Sequence, residues 1–380
     1  MPCFLTKLSV DSFRGIRNLC IDDIGEINIL VGENNSGKTS ILEAIMLLRD
    51  PHSFSNVLRV ARLRELRRGF YPVMGIYEAF IYLFERGSQQ KDMLLRIKGE
   101  TNFAPLSLTL FGTIENIMVD PEVITNTSHG FRRRKSYQQK FIDLEVPVFI
   151  GTQHSILGTD EKNKQVEFGV YHHLDGFRVI SSSVVDIVYV SPTEHVSGSI
   201  FNEIIKNDYY KETVIKILQT YDEDITDLLL LRDEQSKIHV ENIKHSKLGI
   251  MPLSTYGDGI KKAILLADRI AKAQNGILLL DEIETAIHVK AFNDVFSFVV
   301  KACKDFNVQL FATTHSIEVV DSILTTQCVD ESLEYQVEKK DPIRIITFRK
   351  SEKTGATSSR VLTGEQVHKY RENIDFEVRM

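Results

Sequence analysis

The sequence predicts an α/β fold in which a mixed central sheet carries an antiparallel β lobe and a helical insertion. Three observations predict it. Residues 26–31 form a mostly apolar run that turns through a glycine-containing loop into a helix-period stretch at 39–48. A second apolar run at 277–280 ends in two adjacent acids, and a third follows at 308–313. Between them, short alternating stretches at 106–110, 141–146 and 166–171 have the period of antiparallel strands.

The first turn reads Gly32-Glu33-Asn34-Asn35-Ser36-Gly37-Lys38-Thr39, the pattern G-x4-G-K-[ST]. Flanked by strand and helix, such a loop aims backbone N–H groups from Gly32 through Ser40 at phosphates, and the helix N-terminus adds partial positive charge. Lys38 is expected to reach the terminal phosphates, and Thr39 to offer its hydroxyl to Mg2+. The helix should bury one face through Ile41, Leu42, Ile45 and Leu48.

Residues 55–85 read as a helical insertion. Arg59, Arg62, Arg64, Arg67 and Arg68 crowd its first part, too densely for one helical face. They fit a nucleic-acid contact, an acidic partner, a sister subunit or a solvated charge-paired helix. Ile76, Tyr77, Phe80, Ile81 and Phe84 read as packing surface. Arg132, Arg133, Arg134 and Lys135 form a second basic run, read as a loop after the turn-like residues 125–130. His172 and His173 are adjacent, so on a strand they point to opposite faces and make a poor metal pair.

A continuous apolar strand at 184–190 leads into Ser191, Pro192, Thr193, Glu194 and His195, whose polar groups could face a nucleotide. Residues 201–221 have helical spacing, and 222–227 read as an exposed acidic turn. Leu253-Ser254-Thr255-Tyr256-Gly257-Asp258-Gly259 is a second small-residue loop, opening an amphipathic helix with Ile260, Ala263, Ile264 and Ala267 on one face. One nucleotide does not need two phosphate-facing helix starts; a dimer that sandwiches each nucleotide between two subunits does.

The strand at 277–280 ends in Asp281 and Glu282. Carboxylates beside a core are costly unless something charged sits at the strand mouth. Asp281 is expected to hold Mg2+, directly or through water, and Glu282 to polarise the attacking water. His315, just past the strand at 308–313, is placed to bond a γ-phosphate or that water. After it come strands at 343–348 and 359–362, a turn near 350–357 and a short helix near 364–371.

Phosphate loop, LSTYGDG loop, LLLDE strand and TTHS strand end, in that order, resemble the ABC-type ATPase heads of the RecF, SMC and OLD group. Residues 8–16, Leu-Ser-Val-Asp-Ser-Phe-Arg-Gly-Ile, resemble their opening strand and turn. The short uninterrupted form resembles the OLD-like ATPases of bacterial phage defence. The resemblance spans about residues 1–50 and 185–380 and implies a P-loop NTPase that binds ATP and Mg2+. It also implies dimerisation head to head on ATP, with Ser254, Gly257 and Gly259 meeting the partner's nucleotide, and His315 acting as a switch histidine. Gln153 is the candidate for the glutamine of the Q-loop. The residues after Ser316 lack a D-x-D pair, so the resemblance implies an ATPase switch acting on a separate effector, expected to be a nuclease. A RecF-like, DNA-clamping repair ATPase is the alternative.

Length and composition set bounds. The 380 residues suggest one head over 1–380, with the antiparallel strands and insertion in 50–183 and the second lobe in 184–380. A net charge of −6 argues against uniform coating of nucleic acid but permits local basic patches. Cys3, Cys20, Cys303 and Cys328 are scattered without a C-x-x-C pair, which argues for a reducing cytoplasm and against structural zinc. No apolar run reaches the roughly 18 residues of a membrane span, so a soluble cytoplasmic protein is expected.

Overall fold

A computed structural model describes residues 4–33, 35–64, 74–85, 92–119, 144–157, 164–171, 185–196, 200–232, 239–328 and 341–373. Asn34, Arg67, Arg68, the basic run at 132–135 and both His172 and His173 lie outside these residues. The chain opens with β1 (Leu5–Phe13), β2 (Ile16–Ile21) and β3 (Ile27–Val31), then α1 (Lys38–Leu47), α2 (Phe54–Ala61) and α3 (Ile76–Ile81). Four long strands follow: β4 (Asp92–Thr101), β5 (Pro105–Val119), β6 (Leu144–Leu157) and β7 (Lys164–Tyr171). They join β1 and β2 in an antiparallel sheet ordered β2-β1-β4-β5-β6-β7. The antiparallel lobe thus recruits the first strands of the chain, beyond the expected 50–183.

The second half supplies β8 (Ile187–Val190), α4 (Asp208–Leu218), β9 (Ile225–Arg232), β10 (His239–His245), β11 (Gly249–Pro252) and α5 (Asp258–Lys272). It continues with β12 (Ile277–Leu280), α6 (Phe292–Asp305), β13 (Gln309–Thr314), α7 (Ile317–Cys328), β14 (Ile343–Lys350), β15 (Thr357–Thr363) and α8 (Gly364–Asn373). The central sheet runs β15-β14-β3-β13-β12-β8, parallel from β14 to β8 with β15 antiparallel at one edge. This is the mixed sheet expected from sequence. A separate antiparallel sheet, β11-β10-β9, was not foreseen. Its strands mix charges with Leu and Ile, and several of their apolar side chains are exposed.

The central sheet is covered on both faces, so its strands are near-continuously apolar. The period of two then sorts their side chains between two cores. Ile27, Ile29, Leu278, Leu280, Leu310 and Ile345 pack with α4, α5 and α6 on one face. Leu30, Ile277, Leu279, Phe311 and Ile346 face the other core, shared with Leu8, Val10, Leu95 and Leu108 of the antiparallel sheet. Helix α1 lies within this second core. It is therefore buried on nearly every side, from Ser40 through Leu47, and not along the single face that its spacing predicted.

The insertion packs as its aromatic residues suggested. Phe80 and Phe84 each set their rings 5.1 Å from Phe149 of β6. Among the described arginines, Arg64 keeps part of its side chain in solvent but is held on a buried acid. Arg64 makes a bidentate pair with Glu43 of α1, Nε to Oε1 at 2.7 Å and Nη2 to Oε2 at 2.8 Å, and donates to Ser40 Oγ at 3.0 Å. Arg14, at the β1–β2 turn, places its Nε 2.9 Å from Glu43 Oε2, the oxygen that Arg64 Nη2 also uses. Arg59 and Arg62 are partly buried. The reason is local: Glu43 is a fully buried carboxylate inside the shared core, and it needs cations from both neighbours.

Candidate active site

The phosphate loop is a strand-to-helix turn held in shape by left-handed backbone. Asn35 has φ 70° and Gly37, capping α1, has φ 97°. At Gly37 a Cβ would be both strained and pressed against Ile16 Cγ1 at 3.4 Å. Lys38 is buried, and its ammonium donates to the loop's own carbonyls, Gly32 O at 2.6 Å and Glu33 O at 2.8 Å. Burial pushes that ammonium below the usual lysine range, against the pull of Asp281, Glu282 and Glu284.

The acid pair divides by burial. Asp281 is 3% exposed and gathers three hydroxyls: Thr313 Oγ1 at 2.8 Å, Thr39 Oγ1 at 3.1 Å and Tyr189 OH at 3.1 Å. Glu282 is exposed, in a left-handed turn with φ 49°, and its N–H donates to Thr313 Oγ1 at 2.7 Å. The strand therefore delivers one carboxylate inward to the phosphate loop and turns the next out. His315 sits at the end of β13 with Nδ1 3.5 Å from Lys38 Nζ, and its N–H donates to Glu284 Oε1 at 2.8 Å. Lys38, Thr39, Asp281 and His315, widely separated in sequence, meet at the mouths of β3, β12 and β13. The carboxyl ends of parallel strands are where open α/β sheets take ligands.

The second loop stands apart. Ser254, Thr255 and Gly257 are exposed, and a Cβ at Gly257, the cap of α5, would meet nothing within 4 Å. Gly259 faces inward instead, 3.3 Å from Ala286 O and 3.4 Å from the Tyr221 ring as measured from an added Cβ. Among the described residues, no hydrogen bond or ion pair joins this loop to the phosphate loop of the same chain. Gln153 is not at the site: it is buried in β6 and donates to Pro51 O at 2.6 Å, because its alternation on the strand points it into the lobe. Glu194 and His195 likewise turn toward α5, Glu194 through Arg269 Nε at 3.0 Å. Tyr189 and Thr313 are site residues that sequence reasoning missed. Their signal was the hydroxyl of Tyr189 and of Thr313 on the two buried strands that flank the acidic one.

Asp222, Asp224 and His245 form a carboxylate and histidine cluster beside β10. It is built as a hydrogen-bonded turn. His245 Nδ1 accepts N–H groups from Lys247 and Leu248 at 3.1 Å each, so Nε2 carries the proton and faces Asp222 Oδ2 at 3.3 Å as a donor. A ring fixed in that tautomer offers no lone pair toward the carboxylates. A cavity of about 480 Å³ lies between the β1–β2 turn and the insertion, lined by Arg14, Arg64, Tyr82, Phe84, Glu85 and Lys350.

A glycine-bearing loop between a parallel strand and a helix, with a buried Asp bonded to the loop threonine, defines a P-loop ATPase head. The chain belongs to the family described as "AAA domain, putative AbiEii toxin, Type IV TA system", which matches residues 85–321. Residues 4–102 match a family described as an AAA ATPase domain. The chain is 24% identical over 343 residues to an "ATP/GTP phosphatase" of Helicobacter pylori, covering 84% of this chain and 88% of that protein. It is 25% identical over 371 residues to "DNA replication and repair protein RecF" of Rickettsia massiliae, covering 85% and 97%. A solved SMC head bound to the C-winged helix domain of ScpA aligns with 96% of this chain and 100% of its own at 14% identity and a TM-score of 0.49. The protein is an ATP-hydrolysing enzyme. Among the described residues, no helix is long and apolar enough to cross a membrane.

Proposed function

We propose that the protein is an ATP-driven switch that closes as a homodimer on two nucleotides and controls a separate effector in bacterial phage defence. The observation that carries the reading is the contrast between a closed phosphate loop with its acid pair and an exposed small-residue helix start at Ser254 and Gly257. Gly257 leaves room for a phosphate brought by a second subunit. Asp281 and Thr39 together present hard oxygen donors, the donor set that Mg2+ takes, and would hold it against the phosphates. Magnesium there would neutralise charge developing on the phosphates. Lys38 would exchange its carbonyl partners for phosphate oxygens, Glu282 would orient water, and His315 would bond the terminal phosphate.

The dimer is tested by mixing. Ser254→Arg should leave nucleotide affinity of the single head nearly intact while blocking closure, since a guanidinium fills the space where the helix N-terminus must approach. Combined with Lys38→Ala chains, it should regain partial ATPase through one intact composite site. Verified heterodimers without activity, together with no ATP-dependent crosslinking across the interface, would sink the sandwich. The defence role is tested by phage challenge of cells carrying wild type or Lys38→Ala: equal protection, or protection that needs no neighbouring gene product, would overturn the switch reading.

The likeness to RecF over nearly that protein's whole length favours a second reading, a clamp on duplex DNA. In that case affinity falls log-linearly with salt, by about 0.9 unit per neutralised phosphate. Absence of ATP-dependent DNA binding removes it.

A further inference from the structure

The first two turns of α5 are packed against the loop that follows the acid pair. An added Cβ at Gly259 would lie 3.3 Å from Ala286 O, two residues past Glu284. Lys262 is one turn further along the same face and only 1% exposed. Its ammonium makes no hydrogen bond or ion pair with the described residues, yet four carboxylates act on it: Glu194, Glu284, Asp281 and Glu282. Glu284, on the loop against which α5 packs, is half satisfied. Its Oε1 accepts the His315 N–H, while its Oε2 is buried without a hydrogen-bond partner.

A lysine 1% exposed without an ion-pair partner and a fully buried, unpaired carboxylate oxygen on two packed elements are both costly, and both are relieved by one contact. We propose that Lys262 is a positioning residue for ATP hydrolysis, acting through Glu284 on the His315 end of the site. Movement of α5 toward the acid loop joins Lys262 to Glu284 Oε2. The other oxygen of the same carboxylate holds the His315 backbone, so the position of α5 sets the placement of His315 relative to Lys38. The inference needs only that the site hydrolyses ATP; it does not depend on which molecule moves α5. Burial lowers the Lys262 ammonium to about 8, as expected for a charge lacking a close partner.

The experiment compares wild type with Lys262→Met, Lys262→Arg, Glu284→Gln and the double variant Lys262→Met with Glu284→Gln. Three quantities are measured: kcat for ATP, equilibrium binding of a fluorescent ATP analogue, and thermal unfolding. Lys262→Met should lower kcat by about 10–100-fold, the usual effect of losing a group that orients a site residue. Nucleotide affinity and the unfolding temperature should not fall, because the removed charge was unpaired. Lys262→Arg should recover most of the turnover. Glu284→Gln should reproduce the loss, and the double variant should be no slower than the worse single. Full turnover in Lys262→Met, singles whose effects multiply in the double, or a turnover loss matched by loss of binding or of thermal stability would each overturn the proposal.

Discussion

The helix starts at Gly37 and at Gly257 are built from similar residues and left in opposite conditions. The first is closed. Its lysine is buried and bonded to loop carbonyls, its threonine is bonded to Asp281, and its helix is enclosed by two sheets. The second is open at the cap and uneasy beneath it. Gly257 faces empty space, while Tyr256 OH and Tyr221 OH are buried near the helix without hydrogen-bond partners. A start whose polar groups are satisfied inside one chain can bind a ligand alone. A start with unsatisfied groups under an exposed cap is shaped for a change of state, since each orphan costs about 1–3 kcal/mol until something pairs it.

The largest effect is expected at the closed start. Lys38→Ala removes the principal side-chain counterion for phosphate, and nucleotide binding measured by calorimetry should disappear. Affinity within a few fold of wild type would mean that the phosphate loop is misassigned. Next in size, Glu282→Gln keeps shape and hydrogen bonding but loses the carboxylate that orients water. Turnover should fall by roughly 10²–10⁴-fold while ATP still binds. Unchanged turnover moves that role to another residue.

The closed start also makes a stability claim. Glu43 is fully buried between Arg14 and Arg64. Glu43→Ala strands two guanidinium groups in or beside the core and should lower unfolding free energy by about 3 kcal/mol, read from urea titrations. A loss within error of zero would mean that the triad is solvated. The open start yields the smallest effect. The Lys262 ammonium is lowered from 10.5 to about 8, so above pH 8 the folded chain sheds a proton that the unfolded chain keeps until its ordinary range. The unfolded state then binds more protons, and stability contributed by this group rises with pH by up to about 1 kcal/mol per unit between the two values. Other groups titrate in the same window, so the quantity to measure is wild type minus Lys262→Met. That difference should climb from pH 8 to 10; a flat one contradicts the burial of this charge.

What the sequence made legible was chemistry with a local signature. The phosphate loop, the acids at 281 and 282, and the strand end before His315 depend on neighbours along the chain, and the structure brings Lys38, Thr39, Asp281 and His315 together. The closing strands at β14 and β15 were legible for the same reason. Partners across the fold were not. Arg64 belongs to an arginine-rich stretch whose composition fits several surfaces, and only the folded chain sets it on Glu43. Tyr189 looked like one more apolar strand residue. Helix α1 carried a one-faced pattern, yet tertiary enclosure buried its other faces too, because Ala44 and Met46 are as compatible with a core as with a flank. The β9–β11 sheet was missed because its half-exposed strands blur the alternation on which strand reading depends.

The position of β3 in the central sheet has a consequence for biosynthesis. The strand that carries the phosphate loop comes within the first few dozen residues, but both its sheet neighbours, β13 and β14, come from beyond residue 308, and Asn28 Nδ2 reaches Leu310 O across a separation of 282 residues. During translation the loop leaves the ribosome long before any strand exists to flank it. Pairings so distant in sequence are slow to form, since a long loop must close before they return any stabilisation. Until then the apolar β3 is an unpaired strand with two bare edges, and the nucleotide pocket has no second wall. ATP added to nascent chains arrested before β13 should therefore find no site, so that capture of nucleotide reports that the distant half of the sheet has arrived.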